Sequence, residues 1–133
     1  MDKEIIISGK RKTSIARAVI RPGTGKVTVN QINYENLPNL RKLMISEPIK
    51  ITERCGKLNF DISVSVKGGG EESQIEAARL AIARAIVEFT KSEPLRRELI
   101  NYDRSLLIAD TRRKEARKPG DSKARAKRQK SYR

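Results

Sequence analysis

The 133-residue chain has no histidine, no tryptophan, a single cysteine and only five aromatic side chains, two phenylalanines and three tyrosines. Each shortage closes off a class of function. Histidine is the commonest general base and a frequent metal ligand, so its absence removes most acid–base chemistry near neutral pH. Metal sites need clustered cysteine, histidine or carboxylate. The acids here are scattered among bases, so neither a metal nor any other cofactor is expected. Cys55 follows Arg54, but a thiol without a histidine partner is a poor nucleophile. It reads as a small buried or half-buried residue. One cysteine forms no internal disulfide, which agrees with a reducing compartment. No apolar run approaches the ~20 residues of a membrane span. The start, MDKEIIISG, is too acidic and too briefly apolar for a signal peptide. A soluble, cytoplasmic protein is expected.

What the chain has instead is positive charge. Thirty Lys and Arg stand against sixteen Asp and Glu, for a formal charge of +14 and a pI near 10.3. From Arg112 to Arg133 there are eleven bases and two acids, which puts +9 in the last 22 residues and leaves +5 for the first 111. Such a split points to a polyanionic partner, nucleic acid ahead of an anionic membrane surface. The terminal KARAKRQKSYR has no apolar side chain larger than alanine apart from Tyr132. It cannot offset about 1–2 kcal/mol per residue of backbone ordering, so residues 112–133 read as a tail without structure until bound, and 1–111 as one globular domain.

Within that domain KEIII (3–7) reads as a strand broken by SGKRK, and TSIARAVIR as a second. In it Ala16, Ala18 and Ile20 share one face and Ile15, Arg17, Val19 and Arg21 the other. PGTG (22–25) is a turn and KVTVN (26–30) the returning strand of a hairpin. NYENL reads as a helical turn and NLRKLMISEP as a short helix stopped by Pro48. KLNFDISVSVK (57–67) is the cleanest strand: Leu58, Phe60, Ile62, Val64 and Val66 face one way, Asn59, Asp61, Ser63 and Ser65 the other. GGG ends it. A helix from about Glu71 to Phe89 follows, with Ile75, Ala78, Ile82, Ile86 and Phe89 as its apolar stripe and Arg84 opposite. EPLRRELINY predicts a further helix, and SLLIAD (105–110) one more strand. The sum is an α+β sandwich with helices on one sheet face.

Two loops carry candidate chemistry. In GKRKTSIAR (9–17), Lys10, Arg11 and Lys12 read as a loop leading into a strand that presents Arg17 and Arg21. A charged edge that resists strand-to-strand aggregation is one reading; a phosphate-contacting face is favoured, because the tail demands the same partner. VKGGGEES (66–73) is a Gly-rich strand-to-helix turn, a place where backbone N–H groups meet phosphate, but it lacks the spacing of a nucleotide loop. It reads as a tight turn, with RNA contact assisted by Lys67 as the alternative. Phe60 and Phe89 fall in core stripes, and the exposed strand positions are Asn, Asp and Ser, so this is no stacking platform for single strands. Folded RNA, held through phosphates and shape, is the better match.

GKRKTSIARAVIRPGTGKVTVN, VKGGGEESQIEAARLAIARAIVEF, DRSLLIADTRRKEARKPG and the terminal QKSYR occur in order, and together they resemble the small-ribosomal-subunit protein nine family. The likeness covers about Ser8 to Arg133, and the KRQKSYR ending resembles archaeal and eukaryotic members. Members commonly carry glycine where this chain has Ser73. The resemblance implies a mostly antiparallel sheet like the second domain of ribosomal protein five, with a left-handed strand–helix–strand crossover. It implies a place in the head of the small subunit, with its rRNA and neighbouring ribosomal proteins as partners. Carried onto this chain, rRNA contact falls to Lys10, Arg11, Lys12, Arg17, Arg21, Lys67, Arg112, Arg113, Lys114, Arg117, Lys118, Lys123, Arg125, Lys127 and Arg128. Contact with the anticodon stem-loop of peptidyl-site tRNA falls to Arg133, with Lys130 and Tyr132 nearby. Pro119-Gly120 reads as the hinge, and the 15 residues from Pro119 onward extend to about 50 Å at roughly 3.3 Å each. A general nucleic-acid-condensing protein of chromatin type is the alternative, and an enzyme acting on RNA is disfavoured by the missing histidine and metal ligands.

Overall fold

The computed structural model describes residues 3–120 and 123–126. Five strands form one sheet: β1 (Ile5–Arg11), β2 (Ser14–Pro22), β3 (Val27–Val29), β4 (Ile32–Asn33) and β5 (Phe60–Lys67). Three helices join them: α1 (Asn39–Cys55), α2 (Glu71–Thr90) and α3 (Glu93–Tyr102). The strand order is β1-β2-β5-β3-β4, and every neighbouring pair is antiparallel except β3 with β5. The chain passes from β3 to its parallel neighbour β5 through β4 and α1, so the α+β architecture expected from the sequence is the one observed.

Period-two alternation sets the layers. Ala16, Ala18 and Ile20 of β2 and Phe60, Ile62, Val64 and Val66 of β5 are buried, while Arg17, Ser63 and Ser65 between them are exposed. Onto the buried face of β1, β2 and β5 packs α2, with α1 against α2 and α3 against α1. Phe60 meets Phe89 of α2 edge-on at 5.8 Å between centroids. Among the described residues no helix lies over the opposite sheet face.

Close approach of α2 depends on Gly9. A Cβ built there would lie 2.6 Å from the Ala77 carbonyl oxygen and 2.8 Å from the Ala81 nitrogen. The glycine turn after β5 is similarly constrained: Gly68 and Gly69 take φ of +79° and +68°, and a Cβ on Gly69 would meet the Ser14 hydroxyl at 2.1 Å. The Ser73 hydroxyl lies 2.8 Å from that of Ser14 and 2.9 Å from the Gly70 carbonyl, while Ser14 reaches the Gly68 carbonyl at 2.8 Å. Two protons serve three contacts, and the pair clips β2 to the first turn of α2.

Five expectations are corrected. KVTVN does not return beside the strand before it: β3 pairs in parallel with β5, which lies between it and β2. The KRK segment is not a loop: Lys10 and Arg11 belong to β1, and the hairpin turns on Lys12 and Thr13 alone. Pro48 does not stop α1, which runs to Cys55 with Pro48, Ile45, Ile49 and Ile51 buried. Here packing outweighs the lost backbone bond. SLLIAD is no strand; a 3-10 turn spans Arg104–Leu106 and irregular chain follows, pinned by buried Leu106. Cys55 is exposed at the end of α1 rather than buried.

Candidate nucleic-acid interface

Strand register brings the candidate bases of the body together on the uncovered face. Lys10 pairs across β1 and β2 with Ile15, which pairs with Lys67 on β5. The next row is Ser8, Arg17, Ser65; then come Ile6, Val19, Ser63 and Thr28; then Arg21 beside Asp61. A shallow groove of about 430 Å³ runs along the first rows, lined by Thr13, Ile15, Arg17, Ser65, Lys67 and Gly68.

The two ends of the face differ electrostatically. At the Arg21 end the charge is balanced, because Arg21 pairs with Glu4 at 2.9 Å and Asp61 lies in its row. One Asp61 oxygen accepts the backbone N–H groups of Thr24, Gly25 and Lys26 at 2.9, 3.0 and 2.9 Å. The Lys26 N–H first, then those of Thr24 and Gly25, outweigh desolvation and hold this carboxyl below its ordinary range. The Thr24, Gly25 and Lys26 N–H groups are thus committed to Asp61, and none of the three is offered to a phosphate. At the hairpin end, Lys10, Arg17 and Lys67 are exposed, and Lys12 caps the turn with φ of +53°.

Arg11 is not part of this face. As the neighbour of Lys10 it points to the other side of the sheet, where only 14% of its side chain is exposed. Its guanidinium bonds Glu76 of α2 at 2.6 Å and lies 3.6 Å from Asp110, and its Nη1 has no partner among the described residues. Its role here is to join β1, α2 and the chain after α3. Arg84, expected opposite the apolar stripe, is half-buried and does similar work: Nε donates to the Leu107 carbonyl at 3.0 Å and Nη1 to that of Ser8 at 3.3 Å.

The root of the tail is tied to the same corner. Arg112 binds Asp110 through both guanidinium and backbone N–H (2.8 and 3.0 Å), and these bonds draw the half-buried Asp110 carboxyl down to about 2. Arg113 donates to the Lys12 carbonyl. Lys114, Arg117 and Lys118 are exposed and belong to no helix or strand; further on, Lys123 and Arg125 are exposed, with Arg125 paired to Glu115 at 2.8 Å. Lys127, Arg128, Lys130, Tyr132 and Arg133 lie outside the described residues. Sequence reading missed Lys26, which shares a groove with Val19, Arg21 and Asp61; its place at a strand entry after a turn was the available signal.

Charge is segregated by layer. Residues 35–56 and 68–103, which contain all three helices, hold nine bases and ten acids, whereas residues 1–34 and 57–67, which contain the five strands, hold nine bases and three acids. On the helical side the ions pair internally: Arg79 with Glu47 and with Asp103 (3.2 Å), Arg41 with Glu71. No described helix is long and apolar enough to cross a membrane. Among the described residues no cluster of acids and cysteine has the makings of a metal site.

A compact α+β body with one cationic, uncovered sheet face and a polycationic tail defines the nucleic-acid-binding class of basic proteins. More particularly, the chain belongs to the family described as ribosomal protein S9/S16, whose profile matches residues 9–133. It is 50% identical to the small ribosomal subunit protein uS9 of Picrophilus torridus over 135 aligned positions, covering all of both chains. It is 45% identical to the uS9 protein of Thermoplasma volcanium over 130 positions, covering 97% of this chain and 98% of that one.

Proposed function

We propose that this protein is a structural constituent of the small ribosomal subunit in the cytoplasm, without catalytic activity. In the head of the subunit it binds rRNA through phosphates and packs beside other ribosomal proteins. The observation that carries the reading is the convergence of Lys10, Arg17 and Lys67 on a sheet face no helix covers, beside the tip residue Lys12, in a chain of this family. Residues 112–133 form a tail that orders on RNA: Arg112, Arg113, Lys114, Arg117, Lys118, Lys123, Arg125, Lys127 and Arg128 neutralise rRNA. Lys130, Tyr132 and Arg133 reach the anticodon stem-loop of peptidyl-site tRNA. Arg11 is withdrawn from the RNA-contacting set, since its guanidinium is engaged by Glu76.

A salt titration tests this. Binding to a head-domain rRNA fragment should weaken with rising salt at a log–log slope of about −5 or steeper, since each phosphate contact contributes roughly 0.7–0.9. Duplex DNA should bind more weakly at matched salt. Equal affinity for the two would favour a general condensing protein of chromatin type and overturn the ribosomal assignment.

A further inference from the structure

The uncovered face holds hydroxyls as well as cations, and they are distributed unevenly across the molecule. Of the eight serines among the described residues, five have hydroxyls bonded within the protein: Ser14, Ser46, Ser73, Ser92 and Ser105. The other three, Ser8, Ser63 and Ser65, are exposed, and all three stand on this face. Ser8 and Ser65 flank Arg17 in one cross-strand row, and Ser63 is the next outward position along β5. With strands about 4.8 Å apart and alternate residues about 6.8 Å apart, they form a triangle with sides of roughly 7–12 Å. Around them lie Ile6, Ile15, Val19 and Thr28, short and branched, so only the flexible Lys10, Arg17 and Lys67 chains rise far above the sheet.

A phosphate-only surface has no use for a hydroxyl array between its cations, and a single-strand surface needs aromatics that this face lacks. The A-form minor groove is wide and shallow and lined with ribose 2′-hydroxyls, each both donor and acceptor, whereas the major groove is too deep and narrow for side chains to read. Serine hydroxyls match that partner as donor and acceptor. We infer that the uncovered sheet face docks on the minor groove of an A-form RNA duplex. Ser8, Ser63 and Ser65 hydrogen-bond ribose 2′-hydroxyls, and Lys10, Arg17 and Lys67 reach the flanking phosphates. This rests on the proposed assignment of the face to RNA and adds which groove and which sugar groups it reads.

The test uses the full chain and two probes of the same sequence: a two-turn RNA duplex and its 2′-fluoro counterpart. The second keeps the A-form and the phosphates but has no hydroxyl donor. Because both carry equal charge, the tail's contribution cancels in the ratio. Wild type should prefer the hydroxyl duplex by about tenfold, as three modest hydrogen bonds would give. The Ser8→Ala, Ser63→Ala, Ser65→Ala triple variant should bring that ratio to about one at unchanged affinity for the fluoro duplex. Equal binding of the two duplexes by wild type, or a preference that survives in the triple variant, overturns the minor-groove inference and leaves the phosphate interface standing. Lys10→Ala, Arg17→Ala, Lys67→Ala should weaken binding to both duplexes alike; no loss there removes the RNA assignment of the face itself, and the inference with it.

Discussion

Lys10 and Arg11 are adjacent, both basic and both in β1, yet the pleat sends one to the open face and the other under the helices. Their substitutions should therefore separate cleanly. Lys10→Ala should leave the melting temperature unchanged, lower RNA affinity several-fold and reduce the salt slope by about 0.7–0.9, one phosphate contact. Arg11→Ala should do the opposite. It leaves Glu76 without its partner, although Asp110 keeps Arg112, and empties a mostly buried site, which costs on the order of 1–3 kcal/mol; it should leave the RNA affinity of the folded fraction nearly unaltered. Thermal melts and anisotropy titrations on the two variants read this directly; an Arg11 variant that melts normally but binds poorly would return Arg11 to the interface. At the same scale, Ser73 is explained by Ser14. Its hydroxyl is committed to a buried partner and a turn carbonyl, and the Gly68 carbonyl is occupied by Ser14 and Gln74 (3.1 Å).

Among the elements, those with one dominant period were legible. The alternation in β5 and the helical stripe of α2 announced themselves because each buries a face against a single neighbouring layer. Pro48 misled because a local breaking signal was weighed without the buried contacts of Ile45, Ile49 and Ile51 that carry α1 past it. SLLIAD misled because a short apolar run reads alike as strand or as packed loop; only Leu106 is fully buried in it. The Lys10–Arg17–Lys67 cluster was visible as residues but not as a site, since cross-strand register is a property of pairing rather than of any one segment. Gly9 was overlooked because its reason lies in α2. Gly9→Ala should force α2 off β1, because the atoms it would strike are backbone atoms of Ala77 and Ala81 that cannot rotate away. Overpacking of this kind costs roughly 1–3 kcal/mol. Urea unfolding should show a lower midpoint at unchanged slope, and an unshifted midpoint would mean the helix does not bear on the strand as described.

For the whole molecule, the arrangement of charge and the missing histidine together fix how it responds to pH. No side chain has an ordinary pKa between about 5 and 8 except where perturbed. The formal +14 therefore persists across that range, and RNA affinity at fixed salt should stay within about twofold from pH 5.5 to 7.5. Stability should be equally flat there and fall only in acid. Asp61 is held below its ordinary range by the Lys26, Thr24 and Gly25 N–H groups, and Asp110 is drawn to about 2 by Arg112. A carboxyl whose folded value lies below its unfolded one stabilises fully above the unfolded value, near 4. That contribution is lost as pH falls from there through the folded value. Asp110 is only half-buried and its partner Arg112 is exposed, so solvent screening leaves that pair little weight, and Asp61, which organises an entire turn, should dominate. Asp61→Asn should lower the melting temperature at pH 7 and make the decline between about pH 4 and 2 shallower than in wild type. Melting curves across pH 2–8, with affinities measured in parallel, check both halves. A midpoint near pH 6 or 7 in either quantity would show that a group other than these carboxyls governs the response.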